Sequence, residues 1–244
     1  MTIADQIYQK FSSGKKQLFL LADPDKFDAS VLNSESFKNI AEKVDLFLLG
    51  GSLLSASSVE KSAAEIKSGT DIPVVLFPGR SIQLVPNVDA VLFLSLISGR
   101  NAEYLIGQHV QAAPFLYQNN IETIPTGYML IDGGKMTSVQ YISHSLPIPA
   151  DKTDIAVATA LAGKYIGQKL LYLEAGSGAL NTVPAEMISA IAKATELPLI
   201  VGGGITTAEQ ANELYAAGAA AIVIGTAFED NPSEMEAIIQ SIKK

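Results

Sequence analysis

Eight short apolar runs, each with β-branched or aromatic residues, recur along the whole chain. They are Leu18–Ala22, Leu46–Gly50, Val74–Phe77, Val88–Leu94, Glu122–Leu130, Leu170–Glu174, Leu199–Gly202 and Ala221–Gly225. Most are apolar almost throughout rather than alternating, which marks strands buried on both faces, as in a parallel sheet. Helical signals lie between them. Ser57 and Glu60 have capping-box spacing before the apolar face of Val59, Ala63 and Ile66, with Gly69 as a stop. Thr206 and Glu209 repeat that spacing, and the segment ends at Gly218. Asn231 and Pro232 suit the N-cap and first position of a last helix, whose stripe is Met235, Ile238, Ile239 and Ile242. Alternating strands and helices without a linker predict a single domain over 1–244, an α/β fold of the (β/α)8 barrel type. The length of 244 residues is near the roughly 250 typical of that barrel.

Two units depart from the repeat. Only Pro78–Asn87 separates the third and fourth strands, and it contains Pro78, Gly79 and Pro86. A parallel crossover usually needs about a dozen residues or more, so the third helix is expected to be missing or reduced to a short non-helical stretch. An apolar groove could run into the gap, or a neighbouring subunit could cover it. The second departure is Ile131–Asp151, a long segment without helical period. Gly133-Gly134 is expected there to turn a small hairpin with Tyr141 on its return arm.

Composition narrows the chemistry. There is no Cys, so disulfides, thiolate zinc sites and Cys nucleophiles are excluded. Two His, His109 and His144, are too few for a His-based metal centre and read as structural, which leaves a hard cation held by oxygen as the expected metal. A net charge of −8 argues against a nucleic-acid or anionic-membrane surface. MTIADQIYQKF has no apolar stretch after a basic one, and no run reaches the ~18 apolar residues of a membrane span, so a cytoplasmic protein is expected.

The ends of the last three strands are glycine-rich: Tyr172-Leu173-Glu174-Ala175-Gly176-Ser177-Gly178, Gly202-Gly203-Gly204-Ile205 and Gly225-Thr226. Barrel active sites sit at the C-terminal ends of strands, and phosphate is commonly held after strands seven and eight. Glycines let backbone N–H groups approach an oxyanion, and a helix N-terminus behind them adds partial positive charge. One glycine pair could be a simple turn; three clusters at three consecutive strand ends point to a phosphate. Glu174 is expected to be the most exposed acid on this side and a candidate general base, or else a residue that orders the glycine loop. Tyr128, in Pro125-Thr126-Gly127-Tyr128, is expected to line the same cavity or to be a rim aromatic. Arg80 could reach a diphosphate or form a surface ion pair.

Across the mouth lie Asp23-Pro24-Asp25-Lys26 and Gly50-Gly51-Ser52. Asp23 and Ser52 could hold Mg²⁺, which binds through one or two carboxylates plus ligand phosphates. Alternatively, Asp-Pro turns the chain and Ser52 caps a helix.

Together these segments, with Leu21-Ala22-Asp23-Pro24-Asp25, Leu49-Gly50-Gly51-Ser52, Phe77-Pro78-Gly79 and Val201–Ile205, resemble the geranylgeranylglyceryl phosphate synthase family, which includes bacterial heptaprenylglyceryl phosphate synthases. The resemblance covers nearly the whole chain, and Tyr172–Ala179 is its most specific part. It implies a Mg²⁺-dependent prenyltransferase of ether phospholipid biosynthesis. Such an enzyme joins the 3-hydroxyl of sn-glycerol 1-phosphate to a prenyl diphosphate, with geranylgeranyl diphosphate the expected donor. It implies Asp23 and Ser52 as metal positions. For glycerol phosphate it implies Tyr172, Leu173, Glu174, Ala175, Gly176, Ser177, Gly178, Gly203, Gly204, Gly225 and Thr226. It further implies a homo-oligomer, a dimer or a hexamer. The competing readings are another phosphate-binding barrel enzyme, such as a sugar-phosphate isomerase, and a non-catalytic isoprenoid-binding protein.

Overall fold

The computed structural model describes residues 1–51, 56–225 and 232–242. Eight parallel strands close into one barrel in chain order: β1 (Gln17–Ala22), β2 (Leu46–Leu49), β3 (Val74–Leu76), β4 (Ala90–Leu96), β5 (Glu122–Leu130), β6 (Leu170–Glu174), β7 (Leu199–Gly202) and β8 (Ala221–Ile224). Closure is by β1 against β8, with Gln17 opposite Ala221 and Leu20 opposite Ile224. The architecture is therefore the expected (β/α)8, or TIM, barrel.

The near-continuous apolar runs follow from two buried faces. On β1, Phe19 and Leu21 face the barrel interior, while Leu18, Leu20 and Ala22 belong to the layer under the helices. On β6, Leu170 and Tyr172 point inward and Leu171 and Leu173 outward. The same alternation carries Glu174 inward.

Helix α1 (Ile3–Ser12) closes the N-terminal end of the barrel. Thr2 and Asp5 form its capping box, and the Ile3 and Ala4 N–H groups donate to the Glu122 carboxylate at 2.8 and 3.2 Å. Its buried Ile7 packs with the barrel-interior cluster that includes Phe19. Among the described residues, α1 thus covers the end of the barrel opposite the C-terminal face.

The outer helices are α2 (Glu35–Ile40), α3 (Ala56–Gly69), α4 (Gln108–Gln118), α5 (Ser138–Ser143), α6 (Thr153–Tyr165), α7 (Ala185–Thr195), α8 (Ala208–Ala217) and α9 (Pro232–Ser241). α3 contains Ser57 rather than following it, and the Ser57 side chain lies outside the described residues, as does Asn231. The cap of α8 is Thr207 with Gln210, one residue later than the expected Thr206 and Glu209: Thr207 is the residue in extended conformation, and its Oγ1 accepts from Gln210 N at 3.2 Å. Gly218 closes α8 in the left-handed region as expected. Met235 and Ile239 of α9 are fully buried.

Between β3 and β4 only a single 3-10 turn, Ser81–Gln83, replaces a helix. Buried Gln83 ties this segment down: its Oε1 accepts from Gly79 N at 2.6 Å and Arg80 N at 3.3 Å, and its Nε2 donates to the Gly51 carbonyl at 3.3 Å. Ser81 reaches the Gln108 side chain at the start of α4. The 131–151 segment differs from the expected hairpin. Ile131 bridges Ile148 in parallel sense, and Tyr141 lies on the short helix α5. Gln140 Oε1 accepts from Thr137 N at 3.2 Å, so a capping pair starts a helix where the glycines only turn the chain.

Candidate active site

At the C-terminal face a cavity of about 610 Å³ brings the two groups of sequence-predicted residues into one wall. Asp23, Gly50 and Gly51 line it after β1 and β2. Glu174, Ser177, Gly178, Gly203, Gly204 and Gly225 line it after β6, β7 and β8, and β8 pairs with β1 to close the ring. Tyr128 and Tyr172 lie beneath them. Their buried rings meet half-buried Phe77 just after β3: Phe77 stacks on Tyr172 at 5.0 Å, and Tyr128 lies 5.3 Å from Tyr172 and 5.8 Å from Phe77. Ser52 and Thr226 lie outside the described residues.

Glu174 ends β6 facing inward and is only 7% exposed, so it is far less open than a strand-end acid was expected to be. Burial raises its pKa from 4.5 to about 7, against the lowering effect of the Gly176 N–H, which donates to Oε1 at 2.6 Å. The Tyr172 hydroxyl lies beside the same carboxylate and lowers it too, although its geometry makes no regular hydrogen bond among the described residues. The Tyr128 and Tyr172 hydroxyls are held well above their ordinary pKa, first by burial and then by the charge of Glu174. Both stay protonated near neutrality, and Glu174 is poised at it.

The glycine triplet has a purpose that a phosphate-loop reading alone misses. A Cβ at Gly202 would lie 2.6 Å from the Tyr172 hydroxyl, and one at Gly203 would lie 2.6 Å from Glu174 Oε1 and 2.5 Å from Gly176 N. Gly203 also has φ +88°. The triplet thus makes room for the carboxylate as well as for a ligand.

The remaining predicted positions divide by strand geometry. Leu173 faces the helices and gives the cavity no side chain, and Ala175 is buried in the outer apolar layer. Gly176 supports Glu174 from behind rather than lining the cavity; with φ +103°, its Cα packs against Thr137. Just before α8, Gln210 Oε1 takes the Thr206 and Thr207 N–H groups at 2.8 and 3.1 Å, so these two loop amides are already engaged. Arg80 is exposed and does not line the cavity. Lys26 does, with its Nζ 4.0 Å from Asp23 Oδ2. Asp23 Oδ1 accepts from Asp25 N at 3.1 Å, an Asx turn that aims the carboxylate. The Asp23 side chain keeps 28% exposure, so both the turn and an outward-looking carboxylate are present.

Sequence reasoning missed the upper apolar wall, built from Leu94, Tyr104, Val139 and Ile142. Val139 and Ile142 come from α5, the helix that was expected to be a hairpin. The histidines hold structural positions. His109 packs edge-on to Phe93 with its Nε2 3.1 Å from Ser95 Oγ, and His144 terminates α5 in the left-handed region. No group of three or more acidic or His side chains suited to a metal occurs among the described residues. One carboxylate with diphosphate oxygens and water would still suit Mg²⁺.

Residues 12–244 match the PcrB family model. The chain is 48% identical over 220 residues to the geranylgeranylglyceryl phosphate synthase of Spirosoma linguale, covering 90% of this chain and 88% of that one. It is 39% identical to the protein of the same name from Staphylothermus marinus, over 98% and 97% of the two chains. Among solved structures, it superposes with a TM-score of 0.91 on (S)-3-O-geranylgeranylglyceryl phosphate synthase from Thermoplasma acidophilum in complex with sn-glycerol-1-phosphate. That protein is 34% identical, and the match covers 100% of this chain and 99% of that one.

Proposed function

We propose, from the premise that this chain belongs to the PcrB family, that it transfers a prenyl group from a prenyl diphosphate to the 3-hydroxyl of sn-glycerol 1-phosphate. The observation that carries this reading is the placement of buried Glu174 between the glycine loops of β6 to β8 and Asp23, all around one cavity. The loops hold the acceptor phosphate, which sets the glycerol hydroxyl against Glu174. Ionised Glu174 takes the hydroxyl proton as the oxygen attacks C1 of the prenyl group. The C1–O bond breaks in the same event, and diphosphate leaves. Positive charge that develops on the allylic carbons is met by the Glu174 carboxylate and by the faces of Tyr128, Tyr172 and Phe77. The diphosphate lies toward Asp23 and Lys26, and the apolar wall of Leu94, Tyr104, Val139 and Ile142 takes the hydrocarbon.

Mg²⁺ fits the donor set at Asp23, which offers a hard, partly exposed carboxylate at the mouth. When bound, it would neutralise the charge of the leaving diphosphate. Asp23, together with Ser52 as the family resemblance implies, is where it would be held. No helix among the described residues is long and apolar enough to cross a membrane. A sugar-phosphate isomerase would need a second acid–base group or a lysine near the barrel centre. The sole basic side chain among the described cavity residues is Lys26, at the rim.

The decisive experiment incubates purified protein with labelled glycerol 1-phosphate and prenyl diphosphates of several lengths, with and without Mg²⁺. A prenylglyceryl phosphate ether and released diphosphate are expected. Binding of both substrates without ether formation would make the protein a carrier instead.

A further inference from the structure

The acceptor half of the cavity raises an electrostatic question. A phosphate there sits in a chain of net charge −8, beside Glu174, and the Thr206 and Thr207 N–H groups of the loop before α8 are already engaged by Gln210. No Lys or Arg is among the described residues that line that half. A lysine just outside it meets the need.

The 131–137 segment is fastened onto the β6–α7 loop. The Gly133 carbonyl accepts from Leu180 N at 2.9 Å and from Asn181 N at 3.1 Å. The fit is close on both sides: a Cβ at Gly133 would lie 2.5 Å from the Ala175 carbonyl oxygen, and a Cβ at Gly176 would run into Thr137. Gly134, at φ +87°, then turns the chain, with its N–H donating to Asp132 Oδ1 at 2.9 Å. Lys135 follows, and its side chain extends over the glycine loop. A Cβ at Gly178 would be 3.3 Å from Lys135 Nζ and 4.0 Å from its Cε. Gly178 itself lines the cavity with φ +64°. Lys135 makes no ion pair of 4.0 Å or less with any described residue, whereas Lys10, Lys26, Lys67 and Lys152 each have one.

We infer that Lys135 is a phosphate-binding residue of the acceptor site, delivered from the β5–α6 segment onto the Ser177-Gly178 turn. The inference rests on the proposed function, since it takes the glycine loops as the acceptor phosphate site. An ammonium on a flexible stem adapts to a phosphate as a point charge, and the absence of a side chain at Gly178 lets it come down onto the loop. Its energetic effect falls on acceptor binding, because Lys135 stands over the Ser177-Gly178 turn.

The test replaces Lys135 with Met, which keeps most of the stem and removes the charge, and with Arg. The residue is exposed, so both variants should keep the wild-type Tm. With Lys135→Met, the KM for glycerol 1-phosphate should rise roughly ten- to hundredfold. The KM for the prenyl diphosphate and kcat at saturation should stay within about twofold, and Lys135→Arg should recover much of the loss. Competitive inhibition by inorganic phosphate should weaken in parallel with the KM. An unchanged glycerol 1-phosphate KM in Lys135→Met, where the wild-type protein forms the ether, would overturn the inference alone. A wild-type protein that neither binds glycerol 1-phosphate nor forms ether would overturn the functional reading beneath it.

Discussion

Glu174 is subject to two opposed requirements. As a base it must be ionised, yet it is buried at the end of β6, and that burial raises its pKa to about 7. Below pH 7, kcat/KM should therefore rise with pH and level off above it, because only the ionised fraction of the free enzyme can accept the glycerol proton. Glu174→Gln keeps the shape and an oxygen to accept from Gly176, but removes the base. It should lower kcat by roughly 10²- to 10⁴-fold and abolish that pH limb, while glycerol 1-phosphate still binds. The same burial has a cost in stability. A carboxyl whose folded pKa is raised from 4.5 to about 7 stabilises the fold fully below pH 4.5, and that contribution is lost as pH rises through 7. The difference corresponds to about 3 kcal/mol. The ligand-free Glu174→Gln protein should therefore melt higher than wild type at pH 8, with little difference at pH 4. A variant that loses activity without that pH-dependent gain in Tm would argue against a strained carboxylate.

Among elements, the strands were the most readable in the sequence. Their runs are apolar because both faces are buried, and β5, β6 and β7 begin and end at the expected residues. The missing third helix was readable too, since ten residues with two prolines cannot form a crossover helix. What could not be read was how that gap is sealed. Gln83 looks like any loop polar residue, and only its position in space shows its amide bridging Gly79, Arg80 and Gly51. Gln83→Ala would remove the three bonds made by this buried amide, at a cost of about 1–3 kcal/mol. It should also loosen the wall beside the donor site, so the KM for prenyl diphosphate should rise while that for glycerol 1-phosphate holds. Thermal melts and substrate-resolved kinetics check the two halves. The helix α5 was missed for a different reason. Six residues carry too little periodicity to stand out, and the glycine pair before it dominated the local signal. With α5 went Val139 and Ile142, so the apolar roof of the cavity was absent from the sequence reading although its floor, Tyr128 and Tyr172, was present.

For the molecule as a whole, α1 seals one end of the barrel, so both substrates must enter and both products leave by the C-terminal mouth. Both substrates are anions, and the protein carries a net charge of −8. The two halves of the mouth meet this in different ways. The acceptor half offers glycine backbone, with left-handed Gly178, Gly203 and Gly204 allowing close approach, and needs no metal to do so. The proposed donor half offers Asp23 and Lys26, a carboxylate and an ammonium 4.0 Å apart, and the cavity lining adds the further acids Asp25 and Glu234. A diphosphate bearing several negative charges gains little from that surface, so its binding should depend on Mg²⁺, which Asp23 would help hold and which would supply neutralising charge. Chelating divalent metal should therefore divide the enzyme functionally. Glycerol 1-phosphate affinity measured by calorimetry should be nearly the same with and without EDTA. Prenyl diphosphate affinity and ether formation should fall by more than about tenfold and return on adding Mg²⁺. Asp23→Asn should mimic chelation, with the defect confined to the donor. Loss of glycerol 1-phosphate binding on chelation would place the metal on the glycine side of the mouth and reverse the assignment of the two halves.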